Sequence, residues 1–336
     1  MRRVFALAVA GLVTAVAPRA EAASPEPRQW LERMSEALAT LHYDGLFIHT
    51  AGLQFETMRI VHRTEGGRSV ERLVSLDGSG REIVRTAEEV HLYMPDRHVV
   101  LVEPRSDDGS LLKALPTPGP QLDALYTLEL RPGHRLLGRE VRVLDIRPRD
   151  AYRYGYRLWL DQATAMPLRS EVLDGRGRPV ESIHFTKLEI GESVDARQLQ
   201  PDIDATGYQW IRAGRRAAPR TAGANWLPRR MPPGFRLVGW RTQDVPGVPI
   251  RMQHLIFSDG FASVSVFIEP ASAKGPVPSE STSVGSANTY STQVQGHIVT
   301  AVGEVPAETV REIATSLAPV SADSAATERP AVRAER

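Results

Sequence analysis

Between Leu46 and Ile190, short apolar runs alternate with turn signals in about ten places, the pattern of a strand succession. Leu46-Phe47-Ile48, Phe55 to His62, Val70 to Leu76, Glu82 to Arg85, Val90 to Met94 and Val99 to Val102 come first. Glu140 to Ile146, Tyr152 to Leu160, Leu168 to Leu173 and Ser182 to Ile190 follow. Turns separate them at Glu65-Gly66-Gly67, Asp77-Gly78-Ser79-Gly80, Pro95-Asp96 and Asp174-Gly175-Arg176-Gly177. Such tight connections leave no room for crossover helices, so the strands pair antiparallel. Their number predicts a barrel or a strongly curved sheet in a β-rich α+β fold.

The chain contains no cysteine, so burial alone must hold it together. Its N-terminus reads as an export signal over residues 1–22. Met1-Arg2-Arg3 is basic, Val4 to Val16 is apolar but too short to span a bilayer, and Ala20-Glu21-Ala22 fits a cleavage site. No cysteine is available there for lipid attachment. The remainder exceeds what one hydrophobic core usually serves, which predicts two domains. Net charge is +1, so no nucleic-acid partner is expected. Of 41 basic residues, 38 are arginine. Guanidinium suits bidentate capture of carboxylate or phosphate, and codon usage in a GC-rich genome explains the same bias.

Pro25 to Leu41 carries helical spacing, with Trp30, Met34, Ala37, Leu38 and Leu41 on one face. Leu111 to Leu130 interrupts the strand rhythm with Pro116, Pro118 and Pro120. A helical piece from Gln121 to Leu128 follows, and the whole reads as an inserted loop or lid. Residues 23–202 are expected to form a large β domain, 203–232 a linker, 233–318 a small domain and 319–336 a disordered tail. The small domain reads as strands Phe235 to Thr242, Ile250 to Phe257, Ala262 to Ile268 and His297 to Val302, with a helix from Pro306 to Leu317.

Catalytic and metal patterns are weak. The nine histidines are scattered without helical pairing, and no metal or cofactor is expected. Ser110-Leu111-Leu112-Lys113 fits a serine–lysine signature, but its partner motifs are missing. No nucleophile elbow, phosphate loop or dinucleotide fingerprint is present, so a binding protein is expected rather than an enzyme.

Trp30-Leu31-x-x-Met34 with Tyr43-x-Gly45-x-Phe47, and Glu71-Arg72-Leu73 through Arg81-Glu82, resemble the MucB/RseB proteins. So do Tyr154-Gly155-Tyr156-Arg157-Leu158-Trp159-Leu160-Asp161, Pro233-Gly234-Phe235, and His254 through Phe257-Ser258-Asp259-Gly260 to Glu269. The resemblance runs from about residue 30 to 318. It implies a large domain like the lipoprotein carriers LolA and LppX, an unclosed antiparallel β-barrel under covering helices, plus a smaller α/β domain. It further implies a periplasmic regulator of an extracytoplasmic-stress sigma factor. Such a protein binds the periplasmic part of a MucA/RseA-type transmembrane anti-sigma factor, shields it from proteolysis, and is released by envelope lipid such as lipopolysaccharide. A lipid or lipoprotein carrier without a signalling partner is the alternative, and self-association into a homo-oligomer is left open. The resemblance supplies no site residues. Strand alternation nominates Leu92, Met94, Leu101 and Trp159 for an acyl cleft, with Leu112 and Leu115 on the lid. Arg220, Arg229 and Arg230 are nominated for the partner.

Overall fold

The computed structural model describes residues 26–78, 80–105, 112, 119, 121–191, 194–212, 224–244, 251–271 and 278–320. Helix α1 (Glu26–Thr40) opens it. Six strands follow in hairpin succession: β1 (Tyr43–Ala51), β2 (Gln54–Glu65), β3 (Arg68–Ser75), β4 (Glu82–Arg85), β5 (Glu89–Met94) and β6 (Val99–Pro104). A short helix, α2 (Leu122–Leu125), leads into β7 (Tyr126–Pro132), β8 (Val141–Pro148), β9 (Gly155–Asp161), β10 (Pro167–Leu173) and β11 (Pro179–Ile190). The helical piece expected over 121–128 is thus one turn. Tyr126, Leu128 and Leu130 alternate inward against the core, and that period of two wins over helix propensity.

These strands and β12 (Gln209–Arg212) form one twelve-stranded sheet, in the order β12-β6-β5-β4-β3-β2-β1-β11-β10-β9-β8-β7. Its edge strands β12 and β7 do not meet, so the sheet stays open. Every pairing is antiparallel except β12 on β6. No helix among the described residues is long and apolar enough to cross a membrane.

Helix α1 covers one face of this sheet, called inner here. Trp30, Leu31, Met34, Ala37 and Leu38 are buried. Trp30, Leu31, Met34 and Leu38 join Phe47, Ile60, Leu144, Leu158, Leu160, Leu168 and Phe185 in the main core. Fully burying each such side chain contributes roughly 1.5–3 kcal/mol. Arg142 holds Glu26 at the start of α1. The hydroxyl of Thr64 donates to the carbonyl of Ala39 at its end, so the helix spans from β8 to β2. Gly45 on β1 makes room for the side chains of the paired strand β11: a Cβ there would meet the Phe185 ring at 2.5 Å.

On the outer face, described residues pack over one end of the sheet. Val61 and Val70 pack against Val194 and Leu199. Val84, Tyr93, Val100 and Val102 pack against Ile203, Ala205 and Tyr208. The segment expected as a linker therefore begins with residues packed on the large domain, and β12 lies within its sheet. Apolar residues among the polar ones, Ile203, Tyr208, Trp210 and Ile211, supply that attachment.

The small unit is a six-stranded antiparallel sheet, ordered β14-β15-β16-β19-β18-β17, with a two-stranded piece beside it. Its elements are β13 (Trp226–Pro228), β14 (Arg236–Asp244), β15 (Arg251–Ser258), β16 (Ser263–Pro270), β17 (Glu280–Val284), β18 (Ala287–Val294), β19 (His297–Gly303), α3 (Ala307–Ser316) and β20 (Leu317–Pro319). Helix α3 buries Val310, Ile313 and Ala314 on Leu255, Val264, Val266, Val299 and Ala301. Strands β17 and β18 escape detection in sequence because they are rich in Ser, Thr and Asn. β17 is solvent-exposed along its whole length, so burial imposes no apolar alternation on it.

Candidate functional site

Register across the inner face sets residues in rows, since directly opposed residues share a face. One row runs Gly45, Ile60, Leu73, Ile83, Leu92, Leu101, Ile211 across seven strands. It starts fully buried at Ile60, is half-buried at Ile83, Leu92 and Leu101, and ends exposed at Ile211, 43% accessible. Beside it Met94 pairs with Val99, both half-buried. The apolar core thus continues as a stripe beyond the region that α1 covers. Strand β5 already buries Tyr93 on the outer face. A second, half-open apolar row suits an apolar ligand.

The next row is ionic: Tyr43, His62, Glu71, Arg85. His62 is fully buried and stacks on Tyr43, ring centroids 4.6 Å apart. Its Nδ1 donates to the Leu41 carbonyl at 2.7 Å, which leaves Nε2 bare, 3.7 Å from a Glu71 oxygen. Glu71 pairs with Arg85 at 2.9 Å. Burial lowers the His62 pKa from 6.5 to about 4, and the nearby charges of Arg85, His42 and Arg105 push the same way. Below pH 6.5 the unfolded chain takes up a proton that the folded chain refuses. Stability is therefore full above that pH and is lost as pH falls from 6.5 towards 4, by at most about 3 kcal/mol. Thermal melts at pH 7.5 and 5 should differ less for His62→Gln than for the parent; equal differences would remove His62 as the cause.

At the β1–β2 tip the inner face opens into a groove of about 620 Å³, lined by His49, Ala51, Leu53, Phe55, Glu56 and Arg81 and, from the small domain, Val284. Leu53 is fully exposed, Phe55 74% and Val284 53%. Among the described residues, the two domains meet at two places. In the first, three consecutive residues of the β8–β9 loop dock on the small domain. The Tyr152 carbonyl accepts from Thr309, Arg153 pairs with Asp259 at 2.9 Å, and the Tyr154 hydroxyl accepts from Asn288. Arg153 also donates to Asp150 and to the Pro233 carbonyl, and its guanidinium lies 5.4 Å from the Phe235 ring centroid. The side chains of Arg153 and Asp259 are completely buried. Phe261 inserts beside Tyr126, centroids 4.8 Å apart, and joins the large core. In the second, Glu181 accepts from His49 and from both the amide and hydroxyl of Ser286. Burial opposes the Glu181 charge, but the hydrogen bonds from His49 and Ser286 outweigh it and hold the carboxyl below its ordinary pKa.

The nominated residues divide as follows. Leu92, Met94 and Leu101 come together on the inner stripe. Leu112 is buried in the main core. Trp159 alternates with Leu158 and Leu160 along β9, is half-buried and packs against the main core, with the Arg169 guanidinium 4.6 Å from its ring. Arg229 and Arg230 are exposed just after β13. Leu115 and Arg220 lie outside the described residues. Sequence reasoning passed over Ile83 and Ile211 on the stripe, Leu53 and Phe55 at the groove, and Arg153 at the junction. The β1–β2 alternation would have flagged Phe55. No local pattern marks Arg153.

An open sheet with a half-open apolar stripe, joined through a buried junction to a small α/β unit, defines a two-domain β-rich protein with an accessible inner face. Comparison places it further: residues 26–203 match the MucB/RseB N-terminal domain and residues 220–318 the MucB/RseB C-terminal domain. The chain belongs to the MucB/RseB family. It is 32% identical over 327 residues to the sigma factor AlgU regulatory protein MucB of Pseudomonas aeruginosa, covering 96% of this chain and 99% of that protein. It is 25% identical over 305 residues to the sigma-E factor regulatory protein RseB of Escherichia coli K12, covering 88% of this chain and 91% of that protein. A crystal structure of MucB in complex with MucA(peri) superposes with a TM-score of 0.70 at 30% identity, covering 88% of this chain and all of that one.

Proposed function

We propose that this protein is a periplasmic regulator, not an enzyme. It binds the periplasmic part of a MucA/RseA-type transmembrane anti-sigma factor, shields it from proteolysis, and lets it go when an acyl-chain lipid occupies the inner stripe. The likeness to MucB, a regulatory protein crystallised with MucA, carries the partner half of this reading. The half-open row Ile83, Leu92, Leu101, Ile211 supports the lipid half.

The magnitudes are adequate. Burial contributes about 0.8 kcal/mol per methylene, so a chain of about ten carbons has a gross drive near 8 kcal/mol before ordering costs. Converting a mostly bound complex to a mostly free one takes about 5.5 kcal/mol of differential affinity. Lipid on the stripe meets this requirement provided the partner-bound arrangement excludes it.

The test is a pull-down with an anti-sigma periplasmic domain, repeated with added lipopolysaccharide. Retention without lipid and loss with it is expected. No retention removes the regulator reading, and retention unaffected by lipid removes the sensing step. Reversing the charge of Arg229 and Arg230 together should weaken retention several-fold at low salt, since exposed charges act mainly on encounter and are screened. Unchanged affinity would exclude them from the contact.

A further inference from the structure

Among the described residues, the four large apolar side chains most open to solvent gather at one end of the molecule. Leu53 and Phe55 stand on the β1–β2 turn, Leu76 on the β3–β4 turn and Val284 on the β17–β18 turn. Burial does not account for them, and turn geometry does not ask for them. Gly52, at φ +62°, supplies the left-handed corner of the two-residue β1–β2 turn. The position after such a glycine ordinarily takes a polar residue, and here it is leucine. The three turns are neighbours. Leu53, Phe55, Gly78 and Val284 border one groove, and the Leu76 amide donates to the Thr57 carbonyl at 2.8 Å. A fourth turn, Asp174 to Arg178, lies beside them, tied in by the Gly52 amide on the Val180 carbonyl at 3.0 Å. Charges on these turns are paired with the cation outward. The Arg81 side chain is 53% exposed and its partner Glu56 23%; Arg178 is 68% exposed and its partner Asp174 19%. Arg176 is exposed within its turn. Asp77, the exposed carboxylate among them, turns back to accept from the Thr57 amide at 2.6 Å.

We propose that these turns dock the protein on an anionic bilayer. Leu53, Phe55, Leu76 and Val284 enter the boundary between headgroups and acyl chains, and Arg81, Arg176 and Arg178 meet lipid phosphates. Free-standing apolar tips suit this partner. A pocket holds its ligand between half-buried walls, as the inner stripe does; a leucine with no walls gains cover from a fluid phase that closes around it. The outward guanidiniums complement the negative potential of such a surface, within the short range that salt permits. The carboxylates are held against their own arginines or an amide, so the tips approach the phosphates cation first. The groove among the tips then opens onto the membrane. This surface is separate from the inner stripe, and its test needs no anti-sigma domain.

The chain has no cysteine, so an environment-sensitive fluorophore attaches to Leu53→Cys alone. The full chain is mixed with vesicles of phosphatidylethanolamine and phosphatidylglycerol. Emission from position 53 should rise and shift to the blue, and brominated lipid should quench it. The same label on Ala39→Cys, exposed at the far end of β2, should do neither. Leu53→Asp with Phe55→Asp should lower vesicle partitioning by more than about tenfold. The melt should not change, because both side chains already stand in water. Arg176→Gln should lower partitioning about fivefold on these vesicles, the effect of one cation near an anionic surface, and hardly at all on phosphatidylcholine. Membrane docking is excluded if the label at 53 stays in water or if the aspartate pair partitions as the parent does. It is also excluded if a short-chain phosphatidylglycerol below its micelle concentration gives the same blue shift, which would make the tips a site for single lipid molecules. A parent chain that ignores vesicles, while the aspartate pair weakens retention of an anti-sigma periplasmic domain, would assign the tips to that protein instead.

Discussion

Arg153→Met is expected to destabilise the protein by about 3–5 kcal/mol, the usual result of removing one partner from a buried ion pair. The size follows from what is left behind. Asp259 is completely buried, and its Oδ1 already accepts from the amides of Phe261 and Ala262 to close the β15–β16 turn. Its Oδ2 has the Arg153 Nε at 2.9 Å. Without that guanidinium a carboxylate remains in a dry junction, and the Pro233 carbonyl loses its donor. Methionine keeps much of the aliphatic volume, so the loss is electrostatic more than steric. A double-mutant cycle separates the two: Asp259→Asn retains the turn-closing oxygen while removing the charge. Arg153→Met with Asp259→Asn should be less destabilised than Arg153→Met alone. Calorimetric melts read both. A single variant melting within about 0.5 kcal/mol of the parent, the range of an ordinary surface change, would mean that the pair does not hold the domains.

The same residue shows where sequence stops informing. Arg153 falls near the start of the run Tyr152 to Leu160, which the sequence predicts as a strand; the strand begins only at Gly155, and Arg153 lies in the loop before it. Its burial arises only when a domain some hundred residues later docks on it, and a local window carries no such term. Periodicity does report burial within one domain. Helix α1 falls where its apolar spacing places it, because a single continuous face meets the sheet. Leu92, Met94 and Leu101 share a face for the same reason. On β9, Leu158 and Leu160 are buried in the main core and Trp159 is half-buried against it, away from the β5–β6 stripe where the other three meet. Strand β17 marks the opposite limit. Exposed at every position, it is held by backbone pairing to β18, and side-chain pattern has nothing to reveal.

Leu92→Asp combined with Leu101→Asp should abolish acyl-lipid binding while leaving the fold intact. The two residues are direct partners in the β5–β6 register, so the substitutions place adjacent carboxylates at the centre of the stripe. Both side chains are half-buried, and their outer-face neighbours Tyr93, Val100 and Val102 keep strands β5 and β6 packed. Water therefore reaches the new carboxylates in the free protein, and the cost to stability is small beside that of a core charge. An acyl chain laid along the row would have to remove that water from two charges without offering a hydrogen bond. The penalty of several kcal/mol per buried ion exceeds the gain of about 0.8 kcal/mol per methylene over the few methylenes in contact. Binding of a fluorescent fatty-acyl probe should fall by more than about a hundredfold, equivalent to roughly 2.7 kcal/mol. Leu92→Ala with Leu101→Ala should cost far less, because it shortens the apolar contact without charging it. If the aspartate pair unfolds the domain, as Leu158→Asp in the filled core is expected to do, these residues belong to the core. If it binds the probe as the parent does, the lipid lies elsewhere. Folded protein that no longer takes the probe, but still retains the anti-sigma domain and no longer gives it up to lipopolysaccharide, would tie the stripe to release.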